Sequence, residues 1–255
     1  MSEISRREFL AVTTSAVALT ALASEAAAVE VLPESNAVSP SVASAFAANH
    51  EIKPLAFDPA KLDGLSEKMM RSHWENNYGG SVKALNAVKQ KLAAMLDDDS
   101  LPAYIYNDLK REHLMRTGSV VLHELYFGNL GGTGKPDTAI QKSLIDAFGS
   151  VEAWDKEFRR MGVGLGGGSG WVVLGYNLHN GLLENYWQWD HLHAPSSTLP
   201  LLVMDMYEHS YQMDYGAAAA KYVDAFFRNI NWESVSTRLE KVLKARVVWL
   251  TGGIR

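Results

Sequence analysis

Two side chains in the stretch Pro200-Leu-Leu-Val-Met-Asp205-Met-Tyr-Glu208-His209 can do chemistry together. Asp205 and His209 are four positions apart, so on one helical turn they share a face. A carboxylate and an imidazole held that way make half of a metal site. The remaining ligands have to come from elsewhere in the chain. His73 is one source, with Asn77 and Ser81 following at i+4 and i+8 to form a polar stripe. His123 is the other, set in the apolar run Val120-Val-Leu-His123-Glu-Leu-Tyr-Phe127. Three neutral imidazoles and one carboxylate, without any thiolate, suit iron or manganese; ligand type alone leaves zinc open.

Elements of two kinds must carry these residues. Leu65 to Leu96 reads as a helix in which Gly79-Gly80 predicts a weak or bent point. Asp97-Asp98-Asp99-Ser100-Leu101-Pro102 stops it, and a second helix is predicted from about Ala103 to Gly128. Two long helices with a short link make an antiparallel hairpin. Gly128 to Pro136 is Gly-rich and marks a boundary, dividing a hairpin domain over 53–133 from a C-terminal α/β domain over 134–255. Helices are predicted near Asp137–Phe148 and Ser150–Met161. Strands follow at Ser169–Asn177, Leu182–Trp189 and Pro200–Met204, then helices at Tyr207–Tyr215, Ala217–Ile230 and Asn231–Leu243. The fold class is α+β: a long-helix hairpin, then a three-stranded antiparallel sheet flanked by helices. Gly162-Val-Gly164-Leu-Gly-Gly167 imitates a dinucleotide fingerprint but follows a helix and precedes a strand, the wrong order, so it reads as a tight turn.

Bulk properties narrow the function. With 255 residues and 47% hydrophobic composition the chain can bury a sizeable core. A net charge of -5 argues against non-specific nucleic-acid binding. The absence of cysteine removes disulfides, thiolate metal sites and a Cys nucleophile. Ser5-Arg6-Arg7-Glu8-Phe9-Leu10, followed by an apolar run from Ala11 to Ala23 and by Ala26-Ala27-Ala28, resembles a twin-arginine export signal over 1–28. The apolar run is too short for a membrane span, so no stable membrane insertion is expected after cleavage. Residues 29–52 read as a flexible lead-in. The expected location is periplasmic or extracellular.

From about residue 53 to 247 the chain resembles the iron/manganese superoxide dismutase family. The family motif Asp-x-Trp-Glu-His-x-Tyr is matched by Asp205-Met-Tyr-Glu208-His209-Ser-Tyr211, with Tyr207 where Trp is usual. Ser169-Gly170-Trp171 and Asn231-Trp232-Glu233 also recur in that family, and His73 and His123 fall where its first two ligands lie. The resemblance implies one Fe or Mn ion per subunit held by His73, His123, Asp205 and His209, and superoxide as a small anionic substrate. It implies a homodimer, with Glu208 reaching a ligand histidine of the partner subunit, and a supporting role for Tyr211 and Trp171 around the site. It also calls for a hydrogen-bond donor to solvent at the metal. Ser119, at one place the family uses, is too short for this. His191 stands at the other, in competition with Gln188, Asp190 and His193.

The departures gather at the mouth. Ser81 replaces the family's gateway tyrosine, Asn77 the histidine one turn before it, and Gln212 a tyrosine that crosses the interface. Gly216 and Ala217–Ala220 replace basic residues, and Phe127 stands where a Trp packs. The implied consequence is slower anion delivery and proton transfer. The alternative is an exported dismutase-like metal-binding protein with little turnover.

Overall fold

A computed structural model describes residues 43–251, with side chains through 244. The expected signal over 1–28 and most of the lead-in lie outside the described residues. The described residues fall in one compact unit, within which the hairpin and the sheet share a core.

The first arm of the hairpin is helical throughout but not uniform. Helix α1 spans Glu67–Ser72 and is capped by Ser66, whose Oγ accepts from the Met69 N–H at 3.1 Å. A π-helical turn over His73–Tyr78 follows, and α2 runs over Gly79–Met95. The expected weak point at Gly79-Gly80 is therefore regular helix, and the irregularity lies in the turn before it. Gly79 is buried, with Ile52 Cδ1 only 3.2 Å from where a Cβ would stand. Helix α3 covers Ala103–Gly128, as its composition predicts. The Ser81–Ser119 and Tyr78–Glu124 hydrogen bonds set it antiparallel to the first arm.

Helices α4 (Thr138–Phe148) and α5 (Val151–Gly164) begin at Asp137 and Ser150, each accepting a backbone N–H in the first turn. The glycines after α5 turn the chain into strand β1 (Trp171–Asn177), as the helix-then-strand order requires. The strand starts at Trp171 because Gly170 has φ +132° and a Cβ there would lie 2.4 Å from the Gln188 carbonyl oxygen. With β2 (Leu182–Gln188) and β3 (Thr198–Asp205) it forms an antiparallel sheet in the order β2-β1-β3. The register pairs Trp171 with both Gln188 and Asp205, so all three stand at one end of the sheet.

After β3 the chain does not continue as the predicted helix over Tyr207–Tyr215. A 3-10 turn covers Glu208–Ser210, and the single-turn α6 covers Gln212–Tyr215. The break has a local cause: Asp205 Oδ1 accepts the Tyr207 N–H at 2.8 Å, holding Tyr207 extended at φ -66°, ψ 145°. Helices α7 (Ala219–Arg228) and α8 (Trp232–Thr251) complete the fold. Buried Asn129, just past α3, donates to the Val203 carbonyl at 3.0 Å and so ties the hairpin to the edge strand β3. No helix among the described residues is long and apolar enough to cross a membrane.

Candidate metal centre

Four side chains from four elements converge where α3 meets the end of β3. His73 opens the π turn, His123 lies in α3, Asp205 ends β3 and His209 sits in the 3-10 turn. Asp205 and His209 thus meet across a strand-to-turn corner, not along one helical turn. One donor atom from each of the four lies within 4.8 Å of the others. The Nε2 atoms of His73, His123 and His209 stand 3.1, 3.7 and 3.2 Å from Asp205 Oδ2. Donor atoms each ~2 Å from a single ion are separated by distances of this order.

The polar accounting points the same way. His73 Nδ1 and Nε2 and His123 Nε2 are buried without a hydrogen-bond partner; the 3.1 Å approach of His73 to Asp205 is not aligned as one. Each such nitrogen costs about 1–3 kcal/mol unless something occupies it. His123 Nδ1 is committed, lying 2.7 Å from the Ser119 carbonyl oxygen. Its N–H therefore points there, and the Nε2 lone pair faces the cluster. Burial pushes His73 down and His123 down to about 3, so both rings are neutral, as metal ligands must be. Burial alone would push Asp205 up, but the His209 and His73 rings against Oδ2 outweigh it and hold the carboxyl well below the usual range. Neutral imidazoles with ready lone pairs and an ionised carboxylate fit an iron or manganese ion.

A cleft of about 430 Å³ leads to this cluster, walled by Asn77, Ser81, Ser119, His191 and Tyr207. The π turn keeps the expected stripe in line: His73 joins the cluster while Asn77 and Ser81 line the approach. Ser81 Oγ is 2.8 Å from Ser119 Oγ, which lies 3.3 Å from His123 Nδ1. Of the four loop candidates, His191 reaches the cleft. Gln188 is buried in the sheet, whereas Asp190 Oδ1 accepts from Leu192 N at 2.7 Å and lies 2.8 Å from His193 Nδ1. Trp171 Nε1 donates to His191 Nδ1 at 3.1 Å while packing edge-on to His123. Burial lowers the His191 pKa, and a neutral ring accepting at Nδ1 carries its proton on Nε2.

Tyr211 is buried in its own chain, accepting the Gly167 N–H at 3.0 Å and stacking on Tyr222. Glu208 and Gln212 are exposed. Phe127 packs 5.0 Å from the His73 ring, centroid to centroid. Two lining residues, Tyr207 and Arg116, were given no part in the cleft by the sequence reading. Tyr207 lies between His191 and His209, with ring centroids 4.8 and 5.3 Å away, and burial pushes its phenol up to about 12. Its place in the Asp205–Tyr211 motif was the available signal. Ser119, too short to be the solvent donor, forms part of the wall, and Arg116, about a third exposed, lines the cleft, where the loss of basic residues after Tyr215 predicted no cation. Nothing local marks Arg116; only its position seven residues before His123 relates the two.

Residues 136–238 match the family model for iron/manganese superoxide dismutases, C-terminal domain. The chain is 52% identical over 195 residues to a superoxide dismutase (Fe) of Cupriavidus metallidurans, covering 76% of this chain and 98% of that protein. It is 36% identical over 204 residues to a superoxide dismutase (Fe) of Aquifex aeolicus, covering 77% and 94%. A superoxide dismutase (Mn) 2 of Haloferax volcanii is 28% identical over 201 residues, covering 77% and 98%.

Proposed function

This chain belongs to the iron/manganese superoxide dismutase family, and from that premise we infer the division of labour among its residues, its assembly and its location. The activity is the disproportionation of two superoxide anions and two protons into dioxygen and hydrogen peroxide. The observation that carries it is the cluster of His73, His123, Asp205 and His209, in which the buried Nε2 atoms of His73 and His123 are left without a hydrogen-bond partner. These four residues would hold one iron or manganese ion. When bound, such an ion would supply a reversible one-electron couple for the two half-reactions.

The protein's own groups do the remaining work. Asp205 holds an anionic carboxylate beside the neutral His73 and His123 rings, with Oδ1 fixed by the Tyr207 N–H and its carbonyl oxygen accepting from Tyr222 at 2.7 Å. His191 presents Nε2–H to the cleft, where it can donate to a small anion or to water. Trp171 is its positioning residue, since the indole N–H selects the tautomer. Tyr207 keeps the His191 and His209 rings parallel by stacking between them. Ser81, Ser119 and Asn77 offer hydroxyl and amide groups along the approach, in place of a tyrosine and a histidine, and can carry protons through ordered water. That replacement supports a slower turnover than an unaltered gateway would give.

Two further readings rest on sequence and exposure. Glu208 is exposed next to His209, which supports a homodimer that places this carboxylate against a ligand histidine of a second copy. The Arg6-Arg7 segment and the apolar run after it support export of the folded, metal-loaded protein to the periplasm or beyond. The decisive experiment pairs elemental analysis of protein from its native compartment with stopped-flow superoxide decay. About one iron or manganese per chain and a rate far above that of the free ion are expected. A loaded protein no faster than free ion would refute the enzymatic reading, sedimentation as a monomer would refute the dimer, and retention of the Arg6→Lys, Arg7→Lys variant's normal location would refute the export route.

A further inference from the structure

Arg116 is the only lysine or arginine lining the metal cleft among the described residues. It lies on α3 seven residues before His123, two helical turns or ~10 Å along the axis from that ligand. Ser119, between them, joins Ser81 in the hydroxyl pair on the cleft wall. A guanidinium on the outer part of the cleft and hydroxyls further in therefore mark out one approach. The guanidinium is not spent. Its Nε donates to Glu112 Oε1 at 2.7 Å, and no partner among the described residues takes the other N–H groups. Both side chains of that pair are about a third exposed (33% each), so the pair is screened and weak, and Glu112 lies one turn further from the ligands than Arg116 does.

We propose that Arg116 is the anion-guiding residue of this cleft, holding small anions at the outer part of the approach before they pass Ser81 and Ser119, and that Glu112 damps its field. The proposal deepens the dismutase reading and rests on it for the identity of the natural anion. It also reverses one consequence of the missing basic residues after Tyr215: the steering charge has moved to the hairpin helix. Arginine suits the role because its charge persists at any working pH and its planar edge offers paired donors to oxygen or nitrogen anions.

The test uses the full-length, iron-loaded protein and azide as the anion. An optical titration gives the azide dissociation constant, and stopped flow gives kcat/KM for superoxide at several ionic strengths. A unit charge ~10 Å away in a partly solvated cleft changes either quantity about three- to tenfold. Arg116→Gln is expected to weaken azide by about that factor, lower kcat/KM comparably and flatten its salt dependence, with iron content unchanged. Arg116→Lys should stay within about twofold of the parent, and Glu112→Gln should tighten azide by about twofold. An Arg116→Gln azide constant equal to the parent's overturns the inference, whatever the turnover, as does a Glu112→Gln variant that binds azide more weakly. A parent that binds azide through Arg116 yet fails to accelerate superoxide decay would instead defeat the dismutase reading and leave this one standing.

Discussion

Replacing Gly118 by alanine puts a methyl carbon 1.9 Å from the His191 carbonyl oxygen and 3.0 Å from its carbonyl carbon. Ordinary contact begins near 3.4 Å, so helix α3 and the His191 loop must part by about 1.5 Å. Neither atom belongs to a flexible side chain, so the backbone itself has to move. A shift of that size stretches the 3.1 Å Trp171–His191 hydrogen bond beyond a useful length. Overpacking costs about 1–3 kcal/mol and the lost bond ~1 kcal/mol, while alanine returns ~1 kcal/mol of helix propensity. The expected net loss is about 1–3 kcal/mol, or roughly 3–10 °C in melting temperature for a domain of this size. Activity should fall further than stability, by on the order of 10- to 100-fold, because His191 would no longer present Nε2–H at its place in the cleft. The four candidate metal-binding side chains are not among the atoms of the clash, so metal content should hold. Calorimetry, elemental analysis and stopped-flow superoxide decay on the same preparation read all three quantities. A Gly118→Ala protein with the parent's melting point and rate would show that the His191 backbone is not seated against α3 and would refute the positioning argument.

Asp205→Ala should abolish metal retention, since it removes the one anion among the four ligands; elemental analysis after dialysis reads this directly. Metal-free protein should lose stability in acid. His123 is held down at about 3 and His73 is lowered in the same direction, while in the unfolded chain both take up protons near 6.5. Below 6.5 the unfolded state therefore binds more protons, and each such group removes about 1.4 kcal/mol per pH unit until its folded pKa is reached. Urea titrations of chelated protein should show a midpoint that is flat above about pH 6.5 and falls as the pH is lowered from there toward about pH 4.5. Ser81→Tyr combined with Asn77→His should raise the dismutation rate several-fold, on the order of a general acid restored to the approach, with metal content unchanged. No gain in stopped flow would mean that the gateway does not limit turnover.

The four residues that cluster in the structure were named from the sequence mainly through the family resemblance, with a local oddity at some of them. A histidine in the apolar face of a predicted hairpin helix, as at His123, has nothing nearby to satisfy it. Asp205 and His209 share a short motif whose order survives any uncertainty about secondary structure. The second hairpin helix was legible for a similar reason: Pro102 and Gly128 punctuate it, and its residues in between are helix-compatible. The cleft was not legible to the same degree. Its wall combines Ser81, Arg116, His191 and Tyr207 from four separate segments, and no local pattern encodes which of their side chains share a space. The choice of His191 over its loop neighbours was made by Gly118, 73 residues away, and by an indole N–H across the sheet end.

Residue type and order thus determined the ligand chemistry, the hairpin and the sheet. Tertiary structure alone decided the π turn that keeps His73, Asn77 and Ser81 on one approach, and the corner that brings His209 back to Asp205. It also decided which cation lines the cleft. Local propensity speaks for a few residues at a time, whereas a cleft is defined by the packing of segments that never meet along the chain.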